Sequence, residues 1–262
     1  MYQYFEHRGA RFAYRDEGKG RAVVLIHGYL ENQQMWHPLA PELKGRYRRV
    51  SLDLPGHGRS EDLGHVNTMA ELAELLRDLL KHLRLRKVVL IGHSMGGYVA
   101  LAFAEAYPYL VKAMILLNSS ARPDDEERKL NRRRAIELMK RNFPRYVAQA
   151  IPNMFSEANR SLLYESVEAL KKSALQTTLK GSIAAQEGMI LRPDREVLLH
   201  FAGFPILFVA SKEDPVIPES RSVEQTRDSR AELLLIEGGH FSLVENAGSV
   251  RTGVQNFLRR LK

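Results

Sequence analysis

Apolar residues along this 262-residue chain fall into two kinds of run. Short stretches dense in apolar residues recur at 22–26, 47–52, 87–91, 111–117, 205–210 and 232–236, and each predicts a strand. They do not alternate apolar with polar, which is the pattern of strands buried on both faces of a parallel sheet. Stretches of helical period lie between them, at 69–83, 95–106, 219–227 and 247–261. Residues 5–7 and 11–15 read as a leading hairpin. The 95–106 stretch carries Ala100, Ala102, Ala104 and Ala106, small enough for close packing on a sheet. Strands alternating with helices predict an α/β fold, a doubly wound and mostly parallel sheet of about eight strands.

The alternation stops between about 120 and 195, where the chain is helix-like, richly charged and without a strand pattern. Pro144, Pro152 and Pro193 divide this stretch into short helices. Helices inserted between two strands of a parallel sheet predict a cap over the C-terminal strand ends, where ligands of α/β sheets bind. The expected organisation is a core of residues 1–119 and 196–262 with a helical cap at 120–195.

Composition narrows the class. A hydrophobic content of 44% supports a large core. No run approaches the length of apolar sequence that spans a bilayer. The first seven residues lack a basic region followed by an apolar one, so no signal peptide is expected and a cytoplasmic location is the simplest account. The absence of cysteine excludes disulfides, thiolate metal sites and a cysteine nucleophile. Much of the net charge of +8 comes from residues 121–146, with nine Lys or Arg against five Asp or Glu. Acids come first (Asp124 to Glu127) and bases follow (Arg128, Lys129, Arg132 to Arg134), the order that suits a helix dipole beginning after Pro123. Asp124–Arg128 and Asp125–Lys129 stand at the i,i+4 spacing of helical ion pairs. This reads as a solvated amphipathic helix, with an anionic substrate or acyl carrier as the alternative occupant of its basic face. Neither a nucleic acid nor a membrane is expected as partner.

Residues 92–96, Gly-His-Ser-Met-Gly, join a predicted strand to a predicted helix. A nucleophilic serine in this position needs a sharp, strained turn that lifts Oγ clear of the sheet. Gly92 and Gly96 remove the side chains that would collide there. Such a serine needs a base, and the base an orienting acid. The chain has nine histidines, and position relative to the strands selects among them. His240 follows the last predicted strand and Asp214 the one before it, so both project at the same sheet edge as Ser94. An oxyanion hole needs two backbone donors. Met95, directly after the serine, and Tyr29, in the loop opened by Gly28, are the candidates.

With these landmarks the chain resembles the α/β-hydrolase family over nearly its whole length. The matching segments are His27-Gly28-Tyr29, 53–60 (Asp-Leu-Pro-Gly-His-Gly-Arg-Ser), 92–97, Asp214 with residues 215–218, and Gly239-His240-Phe241. The resemblance implies the order nucleophile Ser94, acid Asp214, base His240. It implies that 53–60 is a structural turn, so that Asp53 and His57 are structural. His93 then points away from Ser94 into the core, His27 supports its loop, and Trp36 packs. Related haloalkane dehalogenases and epoxide hydrolases place aspartate at the nucleophile, so Ser94 argues against both. Some relatives take the acid after the next strand, but Asn118-Ser119-Ser120 offers no carboxylate, and Glu213 is expected to point away. No dinucleotide fingerprint, P-loop or metal-spaced histidine pair is present, so no cofactor or metal is expected.

The expected activity is hydrolysis of carboxylic esters of small to medium acyl chain through an acyl-enzyme, by a monomer or homodimer. Activity is expected to fall on acidification, because the base must be neutral. Apolar residues of the cap, Ile136, Met139, Phe143, Met154, Phe155, Leu162 and Met189, are the candidates for the substrate pocket. The resemblance also implies a rival, cofactor-free cleavage of C–C bonds in anionic diketones or related acids, with Arg122 or the 132–134 arginines as anion contacts. A hydrolase-like receptor that signals through its cap is the remaining alternative. Fold alone decides none of these.

Overall fold

Eight strands form a single sheet in the computed structural model, which describes residues 1–261. They are β1 (Gln3–His7), β2 (Ala10–Glu17), β3 (Arg21–Ile26), β4 (Tyr47–Leu52), β5 (Val88–His93), β6 (Val111–Leu117), β7 (Ile206–Ser211) and β8 (Glu232–Ile236). Their order is β1-β2-β4-β3-β5-β6-β7-β8. The β1–β2 hairpin and the β2–β4 pair are antiparallel, and every other pair is parallel. Strand β5 runs two residues beyond the apolar stretch, because Gly92 and His93 still pair with Leu116 and Leu117.

The helices are α1 (Ala40–Leu43), α2 (Met69–His82), α3 (Met95–Ala106), α4 (Glu126–Arg141), α5 (Phe143–Ala150), α6 (Glu157–Leu162), α7 (Tyr164–Ala174), α8 (Leu179–Ile190), α9 (Val197–Phe201), α10 (Glu219–Thr226), α11 (Ser242–Glu245) and α12 (Ala247–Arg260). Successive strand residues point to opposite sheet faces, so the core is double. Val24 and Ile26 of β3 join α2 and α3 on one face. Val23 and Leu25 join Trp36, Leu39, Leu43 and the Val250, Val254 and Phe257 row of α12 on the other. Helix α2 starts on a capping box between Thr68 and Glu71 and ends on Lys81 and His82, which complement its dipole. Among the described residues no helix is long and apolar enough to cross a membrane.

Six helices, α4 to α9, intervene between β6 and β7. The prolines act as expected. Pro144 lies in the first turn of α5, Pro152 opens a short 3-10 turn, and Pro193 follows α8. Helix α8 lies backbone to backbone against the core. A Cβ on Gly188 would stand 1.7 Å from the Asn67 carbonyl oxygen, and one on Gly181 2.5 Å from the Gly56 Cα. The buried Asp124 carboxylate gathers Arg128 (3.1 Å), Arg132 (2.6 Å) and Arg192 (2.8 Å). The expected Asp125–Lys129 pair does not form. Asp125 caps α4 by accepting the Arg128 N–H, and Lys129 pairs with Glu126. A cap carboxylate is committed to its own backbone and turns away from the next turn.

Candidate active site

Strand β5 delivers Ser94 to a turn with φ +49° and ψ −115°, a backbone that side-chain-bearing residues rarely adopt. The space around it explains the glycines. A Cβ on Gly92 would lie 2.4 Å from the Gly96 carbonyl oxygen, and one on Gly96 2.0 Å from that of Ile26. The turn is held by Ser94 N–H donating to Leu117 O (2.9 Å) and by Ser119 Oγ donating to Ser94 O (2.9 Å).

Ser94 Oγ stands 2.8 Å from His240 Nε2, and His240 Nδ1 lies 2.8 Å and 3.0 Å from the two Asp214 oxygens. All three side chains are buried. Asp214 Oδ1 also accepts the Val216 and Ile217 N–H groups, and Oδ2 accepts Asn118 Nδ2–H at 3.0 Å. Burial alone would raise the Asp214 carboxyl. His240, these N–H donors and Asn118 outweigh it and hold the group below its ordinary range. Asn118, just past the end of β6, thus supports the Asp214 carboxylate. Its place right after a strand of the same edge was the available signal. Glu213 is exposed.

The loop after β3 carries the other candidate residues. His27 Nε2 accepts the Leu54 N–H, so its proton sits on Nδ1, which donates to Gly28 O at 2.7 Å. Burial pushes His27 down to about 4, and it is neutral at ordinary pH. Among the described residues, neither the Tyr29 N–H nor the Met95 N–H donates to a protein acceptor. Asp53 accepts the Gln33 and Arg59 N–H groups and pins the turn that contains His57, whose imidazole burial pushes to about 3. Trp36 is packed in the core.

A cavity of about 80 Å³ opens beside Ser94. Tyr29, Tyr98, Arg132, Tyr146, Gln186 and Val216 line it with Met154, Met189 and Phe241. Of the apolar candidates only Met154 and Met189 reach it. Met139 lies behind Tyr29, whose hydroxyl is 3.1 Å from its sulfur, and Phe155 packs on Phe241 with ring centroids 5.1 Å apart. Ile136 and Phe143 join the core, and Leu162 is 78% exposed. Helical period reports which side is buried, not whether core or cavity faces it. Nor does His93 lie wholly in the core. It forms part of the cavity wall, with its ring 5.0 Å from that of His240 and Glu31 beside it. Arg132 reaches the cavity from α4, held by Asp124 and by Gln186 (2.9 Å), whereas Arg122 is taken up by Glu196 and Glu224. Among the described residues no group of three or more His, Asp or Glu side chains is disposed to hold a metal ion.

The description of the alpha/beta hydrolase fold matches residues 21–247. An esterase from the thermophile Thermogutta terrifontis, solved with malate bound, is 32% identical and superposes with a TM-score of 0.92 over 100% of this chain and 99% of its own. An uncharacterized protein of Mycobacterium tuberculosis is 39% identical over 111 residues, which are 42% of this chain and 33% of that protein. The chain thus spans about a third of the length of the first curated relatives it matches. The 2-hydroxy-6-oxo-6-(2'-aminophenyl)hexa-2,4-dienoic acid hydrolase of Metapseudomonas resinovorans is 24% identical over 267 residues, 96% of this chain and 89% of the relative.

Proposed function

Because this chain belongs to the α/β-hydrolase family, we propose that it is a serine hydrolase that cleaves carboxylic esters of short acyl chain. The observation that carries this reading is the buried relay Ser94–His240–Asp214, with contacts of 2.8 Å at each end of the imidazole. His240 Nε2 takes the proton as Ser94 Oγ attacks the carbonyl carbon. The Tyr29 and Met95 N–H groups receive the oxyanion. His240 returns the proton to the departing alcohol, and the acyl-enzyme forms. Water then attacks by the same route in reverse and releases the acid. Asp214 holds the Nδ1–H tautomer and stabilises the imidazolium. Helices α4 to α8 act as the cap and set the substrate.

Cavity size narrows the expected range of acyl chains. At about 80 Å³ the space is well below the ~150 Å³ at which a cavity admits benzene. Acetyl and propionyl groups fit this description better than medium chains. The protein acts on small molecules in the cytoplasm, without cofactor or metal. The test is initial rates on p-nitrophenyl esters of graded acyl length for the native chain and Ser94→Ala. Turnover that depends on Ser94 and peaks at acetate or propionate supports the reading. No turnover from folded protein overturns it.

A second reading, C–C bond hydrolysis of an anionic acid, is favoured by one observation, the Arg132 guanidinium in the cavity wall. Its experiment is inhibition by a dicarboxylate. Strong competition that is lost in Arg132→Gln supports this reading over a neutral ester.

A further inference from the structure

Gly28 is held at both of its backbone groups by buried side chains. His27 Nδ1–H grips its carbonyl, and Glu31 Oε2 accepts its N–H at 2.5 Å. In a trans peptide the carbonyl of Gly28 and the N–H of Tyr29 point in opposite directions. Fixing the first therefore aims the second, the N–H assigned above to the oxyanion. The same Glu31 oxygen lies 2.9 Å from His93 Nδ1, and His93 Nε2–H donates to the His240 carbonyl oxygen at 2.9 Å. One carboxylate and one imidazole thus run unbroken from the oxyanion loop to the backbone of the catalytic histidine.

Both groups are almost fully buried, Glu31 at 3% exposure and His93 at 1%. His93 faces an acceptor at each nitrogen, a backbone carbonyl and a carboxylate, so the pair needs two protons on the ring or one on the ring and one on Glu31. Burial alone would lower His93 and raise Glu31. Their mutual attraction reverses both shifts, lifting His93 and lowering Glu31, which is the ion pair. There is no spare room. A Cβ on Gly28 would lie 2.5 Å from Glu31 Oε2, 2.8 Å from His93 Nδ1 and 3.2 Å from Ser94 Cβ.

We propose that Glu31 and His93 are positioning residues, an ion-paired strap that locks the Gly28–Tyr29 peptide and the His240 backbone into the geometry acyl transfer requires. The role rests on the serine-hydrolase reading of Ser94. The groups facing the strap are Gly28 N–H, His27, Ser94 and the triad residues His240 and Asp214, and the one other carboxylate among them, Asp214, is already bound to His240 and Asn118.

The test uses a fluorophosphonate, which reacts at Ser94 through a P=O group that occupies the oxyanion position, so no natural substrate is required. Labelling rates are compared for the native chain, Glu31→Gln, His93→Asn and the double variant, with folding checked by thermal melting. Each single variant is expected to label about ten- to a hundredfold more slowly, below the loss of an entire oxyanion donor. The double variant is expected within about twofold of the slower single, because the two residues act as one unit. Full labelling by a folded single variant, or losses that multiply in the double, overturns the proposal. Where Glu31→Gln does not fold, Glu31→Asp replaces it, since a carboxylate one methylene shorter keeps the charge and loses one contact. Imidazole NMR on the native chain supplies a second readout. Two ring N–H signals from His93 at a pH where a free imidazole is neutral support the strap, and a singly protonated ring overturns it. A native chain that fails to label sinks the serine reading instead, and the NMR result still judges the ion pair.

Discussion

The edge of the sheet and the helices laid over it wall the same cavity but are built on different terms. At the edge, Ser94, Asp214 and His240 are fixed by backbone partners, namely Leu117 O, the Val216 and Ile217 N–H groups, and Met154 O, which accepts the His240 N–H. The glycines there leave no space for a Cβ. On the helices, Arg132, Tyr146, Gln186 and Met189 reach the cavity as side chains, and the hub that gathers the arginines is one carboxylate, Asp124. A Cβ at Gly92 or Gly96 collides with main chain, whereas a change at the cavity-facing side chains of the helices reshapes a wall. On the proposed function, chemistry belongs to the edge and selectivity to the side chains of the helices.

The harshest test of that contrast is Gly96→Ala. Its methyl group would meet the Ile26 carbonyl oxygen at 2.0 Å, and neither strand end can yield without moving Ser94. Turnover is expected to fall by about a hundredfold or more, since displacements near 1 Å cost that much in catalysis. The measurement is kcat/KM on p-nitrophenyl acetate, with circular dichroism as the check on folding. A near-native rate would mean that the edge tolerates what its packing forbids.

Asp124→Asn is the counterpart on the helices. It leaves Arg128, Arg132 and Arg192 without their shared counter-charge and should cost about 3–5 kcal/mol in urea unfolding. Burial alone would raise this carboxyl. Arg132 and Arg192 overcome that and hold it far below the usual carboxylate range. Its folded value is depressed, so its contribution is complete above the unfolded value near 4 and is lost only in stronger acid. A loss under about 1 kcal/mol would mark the hub as a solvated surface cluster.

Acid should weaken the edge first. Burial lowers His27 to about 4 and His57 to about 3, so the unfolded chain binds protons at each site well before the folded one does. Stability then falls as pH drops from about 6.5 towards 4, by roughly 3 kcal/mol for His27 alone. Urea midpoints measured across that window check it. A flat profile would mean that these imidazoles reach water.

Most of the edge was legible in the sequence because its constraints are local. Strands 47–52, 111–117 and 232–236 and helix 95–106 have the boundaries that their apolar runs predict. Ser94, Asp214 and His240 were chosen by their places after strands. The cavity wall was legible only in part: Met154, Met189 and Arg132 were among the candidates, but nothing local separated them from those that pack elsewhere. Arg132, Ile136 and Met139 share one face of α4 at i, i+4 and i+7, and hydrophobicity picks the two that pack into the core. Arg132 reaches the cavity because buried Asp124 pairs with its charge and distant Gln186 accepts from its guanidinium. Tyr146 and Gln186 are likewise placed by how α5 and α8 dock, a long-range matter that a local pattern does not encode. Glu31 gave no local signal, since it opens a polar run with Asn32, Gln33 and Gln34 and its partner His93 lies 62 positions away.

Met154 straddles the two regions and supplies the finest test. Its carbonyl holds the His240 N–H at 2.9 Å, while its side chain walls the cavity. Met154→Ala removes the second role and leaves the first, because the backbone is untouched. The half-buried site should tolerate the loss of volume. Opening the wall should raise the hexanoate-to-acetate ratio of kcat/KM by about tenfold, the scale at which a pocket discriminates one or two methylenes. A ratio that stays put while both rates collapse would show that the thioether is needed to place the carbonyl. In that case edge and helices would not be separable at this residue, and the division between chemistry and selectivity would have to be redrawn through Met154.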